Sequence, residues 1–513
     1  MSESPRVAIQ VPATGEGERG RLASVLAGLE ARFPGYPRRH LYVLMGVGAV
    51  DAADRTILAT VFEDVRRAFD VSDAQLGLLT AAYSVVATLS VIPFGWLADS
   101  WNRVRLIALG FLPWSISMIW TGASTSFAMM FAARIFLGTI EATNGPSTPS
   151  LIGDYYPVHE RGRVMGIFRV GTLIGSLLGF AVGGLLATLF GWRWAFFVWG
   201  SFGFLCGGLV LRLLPEPARG LPDAIHRVKQ KLADLTARAD GDMAPAPAPA
   251  EPRRPEPGYD YRSLTVKQAT VEIAKVRTMW LVFIAAAISE FFMSGLGTWA
   301  PTFFRRYHGF SAVGAGGIVA LLALSVVAGT IVGARASDRM LSRGQPTQRI
   351  RMCAFASVLS FGAMAVAFGL DRFALVVPFF LMSGFLIGVP FAALDAVALD
   401  ILVPHLRGRA SAVRSLLRIA GVAAAPLLFG VLSDLYGLRS ALLFTMPAVL
   451  LAGAITLLAV KTYEADMEFA QAEAVRQHEL EDADDETVEE VLDEVLEKVA
   501  DLPTAPDPQR RGP

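Results

Sequence analysis

Stretches of about 20 apolar residues, the length that carries an α-helix across a hydrocarbon core of about 30 Å, recur along this 513-residue chain. They fall near 41–62, 74–98, 104–124, 127–151, 164–188 and 193–214, then near 278–299, 312–336, 350–369, 373–397, 410–433 and 440–460. A chain patterned this way is expected to be an all-α polytopic membrane protein with twelve transmembrane helices. Composition agrees: 53% of residues are hydrophobic and 18% charged, against about 25% charged in soluble domains.

The runs divide into two sets of six. The expected layout is a cytoplasmic N-terminal arm over 1–39, a bundle over 40–214, a cytoplasmic linker over 215–277, a second bundle over 278–461 and an acidic cytoplasmic tail over 462–513. The linker holds a basic stretch, His226 to Lys231, and then MAPAPAPAEPRRPEP, which has little to bury. The halves answer each other. DYYPVHERGR at Asp154–Arg163 returns as DILVPHLRGR at Asp400–Arg409, and GWRWA at Gly191–Ala195 as GLRSA at Gly437–Ala441. Asp154 to Asp400, Arg161 to Arg407, Arg193 to Arg439 and Gly138 to Gly384 are all separated by 246 residues. A constant offset across loops and spans indicates a parallel duplication, and paired halves with a midplane site are a transporter architecture.

Loop arginines set the expected orientation. Arg103, Arg105, Arg161, Arg163, Arg407 and Arg409 gather on the side of the termini, so both termini are expected in the cytoplasm. With 46 basic and 46 acidic residues, nucleic acid is not an expected partner. Cys206 and Cys353 sit inside apolar runs as small core residues. The six histidines lie outside the spans or at their edges, no pair has metal-ligand spacing, and no GxSxG elbow occurs. Neither enzyme activity nor a metal or cofactor is expected. In the tail, Val488, Val491, Leu492, Val495, Leu496 and Val499 recur at helical spacing, which predicts a short amphipathic helix.

Several ionisable residues stand inside the spans, where a charge costs about 2.5–3.5 kcal/mol on insertion scales and persists only beside a cavity or partner. The first span carries Asp51, Asp54 and Arg55; spacings of three and four put them on one side of a helix. The fourth carries Arg134, Glu141 and Thr148 at intervals of seven, flanked by Asn144. Glu290 and Asp395 are the second half's exceptions, while Arg169 and Arg418 are placed near cytoplasmic ends, where they can snorkel.

The loop after the second span, Gly95-Trp-Leu-Ala-Asp99-Ser-Trp-Asn-Arg103-Val-Arg105, resembles the signature of the major facilitator superfamily. Ser100 stands where a basic residue is common and Asn102 where Gly is common; Gly333 to Arg339 is a weaker copy. The resemblance implies two pseudo-symmetric six-helix bundles working by alternating access. It also implies a cytoplasmic gate built from Gly95, Asp99, Arg103, Asp154, Arg161, Asp338 and Arg407. Gly166, Gly175, Gly179, Gly183 and Gly184 resemble the family's fifth-helix motif associated with exporters, with Phe180 in place of its Pro; close helix packing is the competing reading. Asp54-Arg55 and the run Arg134-Ile-Phe-Leu-Gly138-Thr-Ile-Glu141-Ala142 are similar to the Spinster branch, although Asp51 replaces a common Asn and Thr56 a frequent Phe.

In the family the first and fourth helices line a central cavity, so the two charged sets are expected to meet there. Asp54 and Glu141 are then the candidate proton-coupling carboxylates. Arg55, Arg134, Asp51, Asn144 and Glu290 are candidate charge partners or substrate contacts. The implied function is a secondary active transporter of the cell membrane, proton-coupled, moving an amphipathic or anionic molecule such as a lysolipid. The alternatives are a proton-linked importer of small organic anions and a drug exporter. Expected partners are the substrate, protons and membrane lipids, with the protein a monomer.

Overall fold

The computed structural model describes residues 38–482 except 157, 218, 220–224, 226, 227, 230–265, 404 and 405. Most of the N-terminal arm, the Pro/Ala stretch and most of the basic stretch of the linker, and the amphipathic helix of the tail lie outside the described residues.

The first half comprises α1 (Arg39–Phe69), α2 (Asp73–Ser100), α3 (Arg103–Ala123), α4 (Phe127–Glu141), α5 (Asn144–Tyr155), α6 (Val158–Phe190) and α7 (Trp192–Leu213). After the short α8 (Val266–Lys275) come α9 (Arg277–His308), α10 (Ala312–Ser342), α11 (Pro346–Gly369) and α12 (Phe373–Asp400). The chain continues through α13 (Arg407–Tyr436), α14 (Leu438–Thr445), α15 (Pro447–Leu458) and α16 (Tyr463–Asp482). Starts are set by side chains that accept orphan N–H groups. Ser72 and Gln75 form a reciprocal capping box before α2, and Asn102 accepts from the Arg105 N–H at 2.7 Å before α3.

Among the described residues, ten helices are long and apolar enough to cross a membrane, the α14–α15 pair counting as one. The two expected crossings that fall short are the first and the fourth. Ionisable residues lower the hydropathy of α1, and the fourth crossing is broken after Glu141 into α4 and α5. This corrects the single span expected over 127–151. Pro149, inside α5, has no N–H to return to the carbonyl four residues earlier, so the helix is weakened just past the break.

The 246-residue repeat is written into the contacts. Arg103 pairs with Asp154, and its counterpart Arg349 pairs with Asp400. Arg161 Nε donates to the Tyr156 carbonyl and Arg407 Nε to the Leu402 carbonyl, the same bond in each half. Arg103 and Arg349 are each 1% exposed, and a buried guanidinium persists only with its charge matched. Glu216 completes the Arg103 site, at 2.9 Å from Nε. Tyr463 completes the other: its hydroxyl accepts from Arg349 at 3.0 Å and donates to Asp400 at 3.1 Å. Burial pushes the Tyr463 phenol above its ordinary value, so it remains a donor.

The halves meet chiefly through α2 with α13, α6 with α10 and α1 with α9. Two helices run further than the apolar pattern predicts. α1 continues seven residues past Phe62 and α9 nine past Trp299, which carries Glu63, Asp64, Arg305 and Arg306 into helix. There Arg305 clasps Asp64 bidentately at 2.6 and 2.7 Å, and Arg306 reaches both Glu63 at 2.6 Å and Asp73. The carboxylate of Asp434 accepts the backbone N–H groups of Asp73 and Ala74, at 2.9 and 2.8 Å. The ion pairs of Arg305 and Arg306 thus join the two halves at this end of the molecule. At the arginine-rich end Arg103 and Arg349 bind within their own halves, the Asp99 carbonyl accepts from Arg219, and Asp338 is exposed.

Candidate functional site

Between the halves lies a cavity of about 830 Å³, lined from one side by α1, α2, α4 and α6 and from the other by α9, α10 and α13. Its floor is the clasped end just described. Its mouth faces the arginine-rich end, where the lining residues Ile92 and Leu416 are 76% and 70% exposed.

The charged wall comes from α1 and α4. Arg134 Nη1 donates to both carboxylate oxygens of Asp54, at 3.0 and 3.2 Å, and both residues are 1% exposed. The same guanidinium lies 4.9 Å from the centre of the Phe196 ring, a cation–π contact that offsets part of its desolvation. Two helical turns along, roughly 10.5 Å, Glu141 accepts from Arg55 Nε at 2.8 Å and from its Nη2, which also donates to Asp51 at 3.2 Å. The structure thus brings the two sets together, with one difference from the sequence reading. Asp51, Asp54 and Arg55 do not share one side: Asp54 turns into the bundle toward Arg134, while the Arg55 side chain remains 58% exposed in the cavity. Adjacent helical residues point about 100° apart, so a single Asp-Arg step serves two partners.

Several polar atoms beside this wall are buried without a hydrogen-bond partner: Glu141 Oε2, Asn144 Oδ1, Thr148 Oγ1, and Nε and Nη2 of Arg134. Buried polar groups are almost always satisfied, and such a cluster next to a cavity has the character of a place that receives something polar. Asn144 opens α5 just after the helix break.

The facing wall is largely apolar, with Met293, Val319, Leu322, Ile419, Val422 and Ala423. Its one charged group is Arg418, which lines the cavity instead of snorkelling to a helix end. Glu290 lies 3.8 Å from both Arg418 and Arg414, and Asp395 pairs with Arg414. The sequence reading placed Arg418 at a helix end and missed the hydroxyls of Thr80, Ser84 and Thr88 on α2. Only the spacing of four between those hydroxyls, with Ser84 and Thr88 donating back to carbonyls one turn earlier, signals their shared face. The cross-half ion pairs were missed because an apolar window ends where the helix does not.

Two helical bundles around a central cavity define a class. The profile of the Major Facilitator Superfamily matches residues 44–418, and the chain belongs to this superfamily of transporters. Protein spinster homolog 3 of Mus musculus is 26% identical over 414 residues, covering 76% of this chain and 74% of that protein. The probable galactarate/D-glucarate transporter GudP of Bacillus subtilis is 24% identical over 312 residues, covering 60% and 65%. Among solved structures, a bacterial homolog to the human lysosomal transporter Spinster, in an inward-facing and occupied conformation, matches with a TM-score of 0.70. That match has 22% identity and covers 84% of this chain and 99% of the other. The protein is a multi-pass membrane transporter with Spinster-like relatives.

Proposed function

We propose that this chain is a proton-coupled secondary transporter working by alternating access, which carries an amphipathic anion such as a lysolipid across the cell membrane. In this reading the arginine-rich end and both termini are cytoplasmic, and the cavity is open to the cytoplasm. The observation that carries it is the Arg55–Glu141 pair, set at the edge of a cavity whose opposite wall is largely apolar. An acyl chain matches the apolar wall, and an acidic headgroup matches Arg55.

Coupling follows from competition for one guanidinium. Glu141, 8% exposed, holds Arg55 while ionised; a proton on Glu141 removes that attraction and leaves Arg55 free for an anion. Proton and anion therefore favour each other's binding, and linkage makes that preference reciprocal. Asp54, saturated by Arg134 and away from the mouth, holds α1 to α4 and is the weaker coupling candidate. The similarity to GudP supports a second reading, a proton-linked importer of small organic anions that uses the α2 hydroxyls.

The test is flux into liposomes containing a pH-sensitive dye, with labelled lysolipids and sugar acids supplied in turn. Wild-type protein is expected to acidify the lumen with an anionic lysolipid, and Glu141→Gln to lose at least tenfold of that proton flux. Proton flux with sugar acids alone selects the second reading. Lipid movement without a proton signal in either protein sinks the coupling.

A further inference from the structure

Most of what the second half offers the cavity is apolar, with the hydroxyls of Ser294 and Thr298, and Arg418 is its one charged residue. A guanidinium on such a wall is expensive unless its charge is matched. The match here is loose. Arg418 Nε lies 3.8 Å from Glu290 Oε2, beyond hydrogen-bond reach, and that oxygen is buried with no hydrogen-bond partner. Glu290 is shared with Arg414, which has its own close partner in Asp395. The Arg418 side chain is 51% exposed and its neighbours on the cavity wall are Leu416, Ile419, Val422 and Ala423. Arg418 is thus a cation held near an anion without being bonded to it, facing open space.

We propose that Arg418 is the second half's anion contact. The acidic headgroup of the substrate is then held by one arginine from each bundle, Arg55 and Arg418, and Glu290 is the counter-ion that keeps Arg418 in place when the cavity is empty. This rests on the amphipathic-anion reading and deepens it. The preferred ligand is a single-chain amphiphile whose headgroup carries net negative charge, ahead of zwitterionic or uncharged ones. One planar guanidinium takes two acceptor oxygens, so a headgroup with further lone pairs spans both walls. Contact with both bundles is also what lets a substrate favour one relative position of the halves over another.

The experiment measures binding of fluorescent single-chain lipids, identical in tail and differing in headgroup charge, to purified full-length protein in nanodiscs. Wild type is expected to prefer the anionic lipid over the uncharged one. Arg418→Gln is expected to lower affinity for the anionic lipid about tenfold, the loss of one charge-assisted contact, with affinity for the uncharged lipid unchanged. Glu290→Gln, which removes the competitor, is expected to raise anionic affinity several-fold and serves if Arg418→Gln does not fold. An anionic preference in wild type that neither substitution changes overturns the role of Arg418. Absence of lipid binding by wild type overturns the amphipathic-anion reading itself.

Discussion

Asp54, through its partner Arg134, and Glu141 itself engage α4 at positions seven residues apart, yet the two carboxylates differ in what their removal should do. Asp54 matches a guanidinium that is 1% exposed. Removing one member of a buried ion pair costs about 3–5 kcal/mol, since the other is left uncompensated. Asp54→Asn is therefore expected to lower the melting temperature in detergent by several degrees, and Asp54→Asn combined with Arg134→Gln to recover part of the loss. A melting temperature unchanged in the single variant would show that the pair is already solvated. Glu141→Gln leaves Arg55 exposed and still beside Asp51, so its fold should survive while coupling fails. The sequence identified these residues through the cost of charge in an apolar span. It did not indicate that Asp54 and Arg55, neighbours in the chain, answer to different partners.

At the scale of elements, the glycines of α6 resolve into packing. Cβ atoms at Gly175 and Gly179 would strike the backbone of Ala49 and Ala53 on α1, and Gly184 faces Ala312 of the other half. Gly166, in the same motif, has open space around it. Close approach of α1 and α6 is what presses the charged stretch of α1 toward α4, and small residues are how membrane helices achieve it. Gly175→Ala is expected to destabilise the protein measurably in a thermal scan, whereas Gly166→Ala should be silent. Equal effects at both positions would argue against packing as their role. Helix ends were the least legible feature at this scale: hydropathy stops α1 near Phe62, but the helix continues to Phe69 because Glu63 and Asp64 find arginines on α9.

For the whole molecule, those arginines set which end is closed. Arg306 binds carboxylates on both α1 and α2. Replacing it by Gln removes two interhelical pairs at once, and close pairs of this kind are worth about 1.5 kcal/mol or more each. A shift of about 3 kcal/mol in total moves a two-state equilibrium by about two orders of magnitude. Arg306→Gln is expected to raise labelling of a cysteine introduced at Thr298 by a reagent supplied on the clasped side, with Cys206 and Cys353 replaced. Unchanged labelling would place the closure elsewhere, in the apolar contact of Phe62 with Trp299.

The sequence by itself determined the class: the length of its apolar runs requires membrane helices, the 246-residue offset requires two related halves, and the isolated charges mark where a cavity must be. These are local or periodic properties, carried by one stretch of chain at a time. Tertiary structure alone decided the pairing of Arg55 with Glu141 and of Asp54 with Arg134, the inward turn of Arg418, and the clasp of Asp64 with Arg305. Each joins residues tens or hundreds of positions apart. The energy of such a pair depends on distance and burial, which a sequence does not contain until helices fix both.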